Sequence, residues 1–182
     1  QALQSPGIDR DHRQKLLHAI VLETRLLGLR VDNVLETGRL EIERAALALS
    51  PLDLSSLIER ALETPTEIVA SRGGALSSEL APNLRVKGDA RALRLVIDNL
   101  LDNAIKYCDA EPQILIQCFA ENQKIKIRVQ DSGIGLSGTE RNQAFRRFWR
   151  GTSGQSGTGL GLWLAKAIVE GHTGQISLEN NG

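Results

Sequence analysis

The stretch from Asp9 to Leu47 holds no proline, and within it Leu17, Ile20, Thr24, Leu27, Val31, Val34 and Gly38 step alternately by three and four residues. That spacing lays one seam of small and apolar side chains along a continuous helix, the pattern of a coiled coil or helical bundle. Only Gly28 and Gly38 interrupt it. A helix of about 35 residues is too long to be covered by one small domain, so the seam is expected to pair with helices of another chain. Just upstream, Ser5-Pro6-Gly7 is a turn signal, so Gln1–Gln4 reads as the tail of an earlier helix. Residues 1–50 then read as an incomplete helical hairpin.

Ser50-Pro51-Leu52 closes that pattern. Asp53 is placed to cap a short amphipathic helix carrying Leu54, Leu57, Ile58 and Leu62. Thr66–Ser71 reads as a strand, Gly73-Gly74 as a turn and Leu84–Val86 as a second strand, after which Asp89 caps a helix running to Tyr107. Gln113–Phe119 and Lys124–Val129 alternate like a hairpin turning at Glu121-Asn122. Helical stretches are expected at Thr139–Phe148 and Gly159–Gly171, with a closing strand at Gln175–Leu178. Residues 51–182 therefore read as a second, α+β domain: a two-layer sandwich of helices on a mixed, mostly antiparallel sheet.

Composition narrows the function classes. Three Phe, two Trp and one Tyr leave Leu, Ile, Val and Ala to fill the core. Lys and Arg number 22 against 22 Asp and Glu, so no global field favours nucleic acid or an acidic membrane. Cys108 and Cys118 lack the Cys-x-x-Cys spacing of a zinc site, and read as buried small residues in a reducing compartment. No run nears the ~18 apolar residues of a membrane span, and Gln1–Gln4 is no signal peptide, so a cytoplasmic chain is expected.

Three segments carry chemistry. On the helix after Asp89, Asn99 and Asn103 are four apart with Lys106 three further on, which puts them on one face. Asparagine carbonyls suit a hard cation such as Mg²⁺ that keeps phosphate oxygens among its ligands, and a Lys point charge meets the same phosphates. Taken alone, the same face is equally well a solvated one. Asp131-Ser132-Gly133-Ile134-Gly135 follows a strand; its carboxylate can accept from an exocyclic amino group while the glycines admit a flat base to the backbone, although such a turn alone is common. Gly157-Thr158-Gly159-Leu160-Gly161 opens an apolar helix, and free amides at a helix start make a phosphate cradle. Leu162 stands where a dinucleotide fingerprint has its last Gly, and no Gly-Lys-Ser/Thr of a P-loop is present. Between these segments, Arg141, Arg146, Arg147 and Arg150 accompany Phe145, Phe148 and Trp149, and the polar Gly151–Ser156 stretch has the composition of a lid.

In this order the segments resemble the catalytic and ATP-binding domain of sensor histidine kinases, part of the gyrase, Hsp90, histidine kinase and MutL superfamily with its Bergerat fold. Asp89-x-x-x-Leu93 with Asn99-Leu-Leu-Asp-Asn103-Ala-Ile-Lys106-Tyr107 is similar to that family's N box, and Asp131–Gly135 to its G1 box. Phe145-x-x-Phe148-Trp-Arg150 is similar to the F box and Gly157–Gly161 to the G2 box, while Val34–Glu41 resembles the end of the second helix of the dimerisation and phosphotransfer hairpin. The resemblance implies ATP and Mg²⁺: Asp131 on the adenine amino group, with Gly133 and Gly135 beside the base, and Asn103 assisted by Asn99 as the metal ligands. Lys106 and Tyr107 would line the phosphate and sugar side, Arg150 would stand near the phosphates, and the amides of Gly157, Thr158, Gly159, Leu160 and Gly161 would hold the phosphate tail. It also implies a homodimer through the hairpin, a response regulator receiver domain as partner, and membrane anchoring only through segments outside the sequence. His172 falls where the family often has a structural His.

In superfamily members that hydrolyse ATP a glutamate stands at the place of Asn99 and activates water; an amide cannot act as that base. Asp98 and Asp102 are one position off, turned by about 100° around the helix. A kinase of this kind instead needs a phosphoacceptor histidine in a His-Glu/Asp-x-x-x-Pro setting, and none of His12, His18 and His172 has one. The reading is a protein-histidine kinase region whose phosphoacceptor lies outside the sequence, so that it is unable to phosphorylate itself alone. A nucleotide-binding pseudokinase and dimerisation module, or a slow ATP hydrolase of the same superfamily, are the alternatives.

Overall fold

The computed structural model describes residues 47–108, 111–151 and 157–180, with isolated helical positions at His12, Arg13, Leu16, Leu17, Ile20, Thr24, Gly28 and Val31. Of the seam, Leu17, Ile20 and Val31 are about half exposed in the single chain (48, 51 and 50%). Leu27, Val34, Gly38, the Val34–Glu41 resemblance and the Gln1–Gln4 tail lie outside the described residues.

The described chain runs β1 (Ser50–Asp53), α1 (Leu54–Ser71), β2 (Ala75–Leu80), β3 (Arg85–Gly88), α2 (Ala90–Lys106), β4 (Gln113–Glu121), β5 (Lys124–Asp131), α3 (Gly138–Gln143) and α4 (Gly161–Gly171). β4 lies between β2, parallel to it, and β5, antiparallel to it, while β1 and β3 form a separate antiparallel ribbon. This is the expected α+β arrangement of helices on a mixed sheet. Ile114, Ile116 and Cys118 alternate along β4 into the core, with Val129 opposite Ile116 and Ile127 opposite Cys118. Asn122 and Gln123 between β4 and β5 both have positive φ (49° and 61°), the two-residue turn whose twist matches the strands it joins. Cys108 and Cys118 are buried, and burial pushes the Cys118 thiol up to about 11, with the charge of Asp53 adding to the effect.

α2 is the centre of the helical layer. Ile97, Leu101 and Ala104 pack with Leu57, Ile58 and Ala61 of α1 over the sheet. On its other flank Ala92 and Val96 meet Leu164, Ala165 and Ile168 of α4, with Leu47 and Ile176 closing the cluster. A helix gripped on both flanks is a rigid platform, so the polar face of α2 has a fixed position relative to both α4 and the end of β5.

Three expected elements differ. Thr66–Ser71 is not a strand but the end of α1, which continues through Pro65. The missing amide of Pro65 and its ring cost about 3 kcal/mol, yet Ile58, Leu62 and Val69 continue one stripe, and burying side chains such as Val69 returns about 1.5–3 kcal/mol each. The strand belongs to Ala75–Leu80 instead, where alternate Leu76 and Leu80 face the core. The helix expected at Thr139–Phe148 stops at Gln143, and Phe148 takes a left-handed backbone (φ 60°) incompatible with helix. No strand forms at Gln175–Leu178, where Ile176 packs on the α2–α4 cluster from irregular backbone. Among the described residues no helix is long and apolar enough to cross a membrane.

Candidate nucleotide site

Asp89 starts the platform. Its Oδ1 accepts from the amides of Arg91 (3.0 Å) and Ala92 (3.1 Å), capping α2, and its Oδ2 accepts from the amide of Ala48 (3.0 Å). Burial alone would raise the carboxyl, but these three amides hold it below its usual value. The Asp89 amide donates to His172 Nε2 (2.9 Å), so the proton of that ring sits on Nδ1, which faces the Ile168 carbonyl at 2.8 Å. His172 thus ties the start of α2 to the end of α4, the structural role expected of it.

Further along α2, Asn99 is buried (3% exposed) and donates through Nδ2 to the Leu95 carbonyl at 2.8 Å. Its Oδ1 faces the glycine run: a Cβ on Gly161 would stand 2.5 Å from it. Two turns on, the Lys106 ammonium donates to the Tyr107 hydroxyl (3.1 Å), and a Cβ on Gly157 would stand 2.5 Å from Lys106 Nζ. The two ends of the 157–161 run therefore abut the two ends of the polar face of α2: a side chain at Gly161 would press on the buried Asn99 amide, and one at Gly157 on the flexible tip of Lys106. Asn103 lies between Asn99 and Lys106 on that face, half-buried. In the middle of the run Gly159 has φ +69°, and a Cβ there would meet the Phe148 carbonyl carbon at 2.6 Å and the Trp149 carbonyl oxygen at 2.7 Å.

α4 opens on this run with no side-chain cap, which leaves the amides of its first turn directed at the loop, where the helix dipole favours an anion. Leu160 contributes backbone alone: its side chain is buried (4% exposed), and its amide donates to Thr158 Oγ1 at 3.3 Å. The amides of Asn99 and Asn103 are hard oxygen donors of the kind Mg²⁺ takes alongside phosphate, and the described residues contain no cluster of three or more His, Cys, Asp or Glu that would hold a metal by itself.

Asp131 ends β5 opposite Ile114. Its Oδ1 accepts from the Gly133 amide (2.8 Å), Ser132 exchanges bonds with Gln113 (both 3.1 Å), and the Ile134 amide donates to the Tyr107 carbonyl (3.2 Å). A Cβ on Gly133 would collide with Asp131 Oδ1 (2.6 Å) and the Tyr107 carbonyl oxygen (2.9 Å), so this glycine is required for the close approach of loop and helix end. Gly135, with φ +66°, lies instead beside Asn180, whose side-chain amide donates to the Leu136 carbonyl at 2.9 Å. Arg150 is exposed, whereas Arg147 lies over the rings of Phe148 (4.8 Å) and Trp163 (5.3 Å). The lid stretch at 152–156 lies outside the described residues.

Two contributors have no signal in the sequence. Asn180 clamps the Asp131 loop from just beyond the stretch expected as a closing strand. Arg72, next to a pair of glycines, sends its guanidinium to the carbonyls of Ile105 and Cys108 (2.5 and 2.6 Å) at the far end of α2. Side chains that act on distant backbone leave no local spacing to read.

Residues 88–182 match the family described as histidine kinase-, DNA gyrase B-, and HSP90-like ATPase. The chain is 32% identical over 157 residues to the circadian input-output histidine kinase CikA of Synechococcus elongatus, covering 82% of this chain and 21% of that protein. It is 31% identical over 189 residues to the sensor protein RprX of Bacteroides fragilis, covering 99% of this chain and 36% of that protein. The chain thus spans little more than a third of such relatives. Its structure is similar to the catalytic domain of the histidine kinase ThkA (TM-score 0.68, 25% identity, 75% of this chain and 90% of that one). It also shares its fold with ThkA solved in complex with the response regulator protein TrrA (TM-score 0.70, 24% identity, 96% of this chain and 49% of that one).

Proposed function

The chain belongs to the histidine kinase-, DNA gyrase B- and HSP90-like ATPase family and carries a catalytic domain of the histidine kinase type, and from that premise we propose that it binds Mg-ATP and presents the γ-phosphate to a histidine outside this sequence. Asp131 takes the adenine amino group, its carboxylate already aimed by the Gly133 amide. Lys106 and Tyr107 line the phosphate and sugar side, and the amides of Gly157–Gly161 receive the phosphate tail at the start of α4, with Arg150 at its margin. Asn103 and Asn99 would hold Mg²⁺, which on binding neutralises phosphate charge. The single observation that carries the reading is the apposition of Asn99 and Lys106 to the two ends of the glycine run.

The same geometry explains transfer in place of hydrolysis. Asn99 is buried, engaged with Leu95 and without a basic site, so water beside the γ-phosphate finds no general base at that position. A histidine nitrogen brought to the γ-phosphorus forms the new P–N bond as the bond to the β-phosphate oxygen breaks and ADP leaves with the electron pair. The half-exposed Leu17, Ile20 and Val31 support a homodimer through the upstream helix, and the ThkA–TrrA complex supports a response regulator receiver domain as the acceptor of the phosphoryl group. The catalytic region works on the cytoplasmic side, with membrane attachment left to segments outside the sequence.

The test is a nucleotide titration of the purified chain with and without Mg²⁺, followed by the same chain extended by the upstream helix of its parent protein. Mg-dependent binding, negligible turnover and an acid-labile phosphohistidine on the extended form are expected. Binding without phosphohistidine on the extended form would make the chain a pseudokinase, and measurable turnover would make it an ATP hydrolase that activates water despite Asn99.

A further inference from the structure

Resting on the nucleotide reading above, we propose that Arg72 is a positioning residue for the nucleotide site, fixing Lys106, Tyr107 and, through Tyr107, the Asp131 loop. α2 ends at Lys106, and the last carbonyls of any helix lack intrahelical partners. Asn103's carbonyl is taken by the Tyr107 amide (3.0 Å). Further along, the carbonyls of Ile105 and Cys108 are taken by one guanidinium that follows α1: Nη1 donates to Ile105 at 2.5 Å and Nη2 to Cys108 at 2.6 Å. A planar fork suits two separate oxygens at once, and its charge stands at the negative end of the α2 dipole.

What the fork brackets gives it its role. Between the two carbonyls it holds lie Lys106, whose ammonium reaches the Gly157 end of the glycine run, and Tyr107, whose carbonyl accepts the Ile134 amide at 3.2 Å. The Tyr107 carbonyl oxygen is also the atom a Cβ on Gly133 would meet at 2.9 Å, on the very residue whose amide aims Asp131. One side chain at the end of the outer helix therefore sets the backbone from which both the phosphate side and the adenine side are hung. Its own backbone is anchored, since its amide donates to Val69 at 3.1 Å at the end of α1. Arg72 itself touches no expected ligand position.

The experiment compares wild type, Arg72→Lys and Arg72→Ala by Mg-ATP titration at a temperature where circular dichroism shows each fully folded, alongside thermal melts. Lysine keeps the charge and stem but cannot bridge two carbonyls. Both variants are expected to weaken Mg-ATP about tenfold, the worth of one charge-assisted hydrogen bond, with Arg72→Lys melting close to wild type. Slower amide exchange of Ile134 in wild type than in folded Arg72→Lys is the accompanying signature. Wild-type affinity in both folded variants, or full rescue by lysine, overturns the proposal, as does a lowered melting temperature with no change in affinity. If Arg72→Ala does not fold, Arg72→Lys decides; if neither folds, Arg72 is a folding determinant and the proposal fails. A wild-type chain that binds no Mg-nucleotide overturns the functional reading and takes this inference with it, whereas normal wild-type binding confines any failure to the role of Arg72.

Discussion

The two halves of the candidate site are built differently. On the adenine side Asp131, Ser132, Gly133 and Ile134 are each bonded to a strand or helix end, and Asn180 clamps the residues that follow. On the phosphate side the 157–161 run has contacts set by what it lacks: glycines pressed against Asn99, Lys106 and the Phe148 backbone, a helix start without a side-chain cap, and an exposed Phe148 (60%) in a left-handed conformation. The first half exists before any ligand arrives. The second has its helix start left without a side-chain cap, so in the proposed reading an anion would complete it, and the contrast would let one fold hold a base firmly while the reacting end stays open to the phosphoacceptor segment.

Asp131→Asn should break the preformed half with the largest effect. If the asparagine keeps its oxygen on the Gly133 amide, its NH₂ faces the adenine amino group, donor against donor; a charged hydrogen bond is lost and a buried donor is left unmatched. About 100-fold weaker Mg-ATP binding is expected by calorimetry, with little change in melting temperature. Affinity within twofold of wild type would remove Asp131 from the adenine contact and with it the division into halves.

A smaller effect separates the two ends of the glycine run. An added Cβ at Gly161 meets Asn99 Oδ1, the atom of a buried amide held by Leu95, whereas at Gly157 it meets the tip of flexible Lys106. Gly161→Ala should therefore weaken Mg-ATP about tenfold and Gly157→Ala only about two- to threefold, since only the lysine can swing aside. Amide exchange on the unliganded chain sharpens the same contrast: Ser132 and Ile134 should be protected, and Gly159 to Leu162 protected only once nucleotide is added. Equal protection in both regions without ligand would show the phosphate half to be preformed as well.

Much of this was legible from residues because the chemistry is local. Asn99, Asn103 and Lys106 share a face by helical arithmetic, Asp89 and Asp53 are caps by type and position, and the alternation of β4 and β5 gave the hairpin and therefore the place of Asp131 at a strand end. What escaped was set by distant contacts. Thr66–Ser71 has strand composition but follows the burial stripe of α1, and Pro65 hid the continuity. The burial of the Leu160 side chain in the core was not legible either, since its neighbours are glycines. Arg72 and Asn180 act on backbone 33 and 44 residues away in sequence, a relation that no spacing rule encodes.

The smallest expected effect tests what joins the two halves. Asp89 caps the helix that carries the phosphate-side residues, while its own amide reaches α4 through His172 and its Oδ2 holds Ala48, just ahead of β1. Because the amides of Ala92, Ala48 and Arg91 lower this carboxyl from its usual value, the folded protein favours the ionised form more than the unfolded chain does. The sign follows: the contribution is fully present above the usual carboxylate range near pH 4 and is lost as pH falls through the lowered value, so it is constant from about pH 6 to 8. Asp89→Ala should cost about 1 kcal/mol, a drop of about 2–4 °C in melting temperature at neutral pH, and the gap to wild type should narrow below about pH 4. Asp89→Ser restores the α2 cap but is too short to keep Ala48 as well, so it should recover most of the stability. If serine recovers stability but Mg-ATP binding becomes insensitive to the presence of residues upstream of Leu47, the Ala48 bond is the route by which the helical region and the site are coupled; if that sensitivity survives, coupling runs through the apolar contact of Leu47 with the α2–α4 cluster instead.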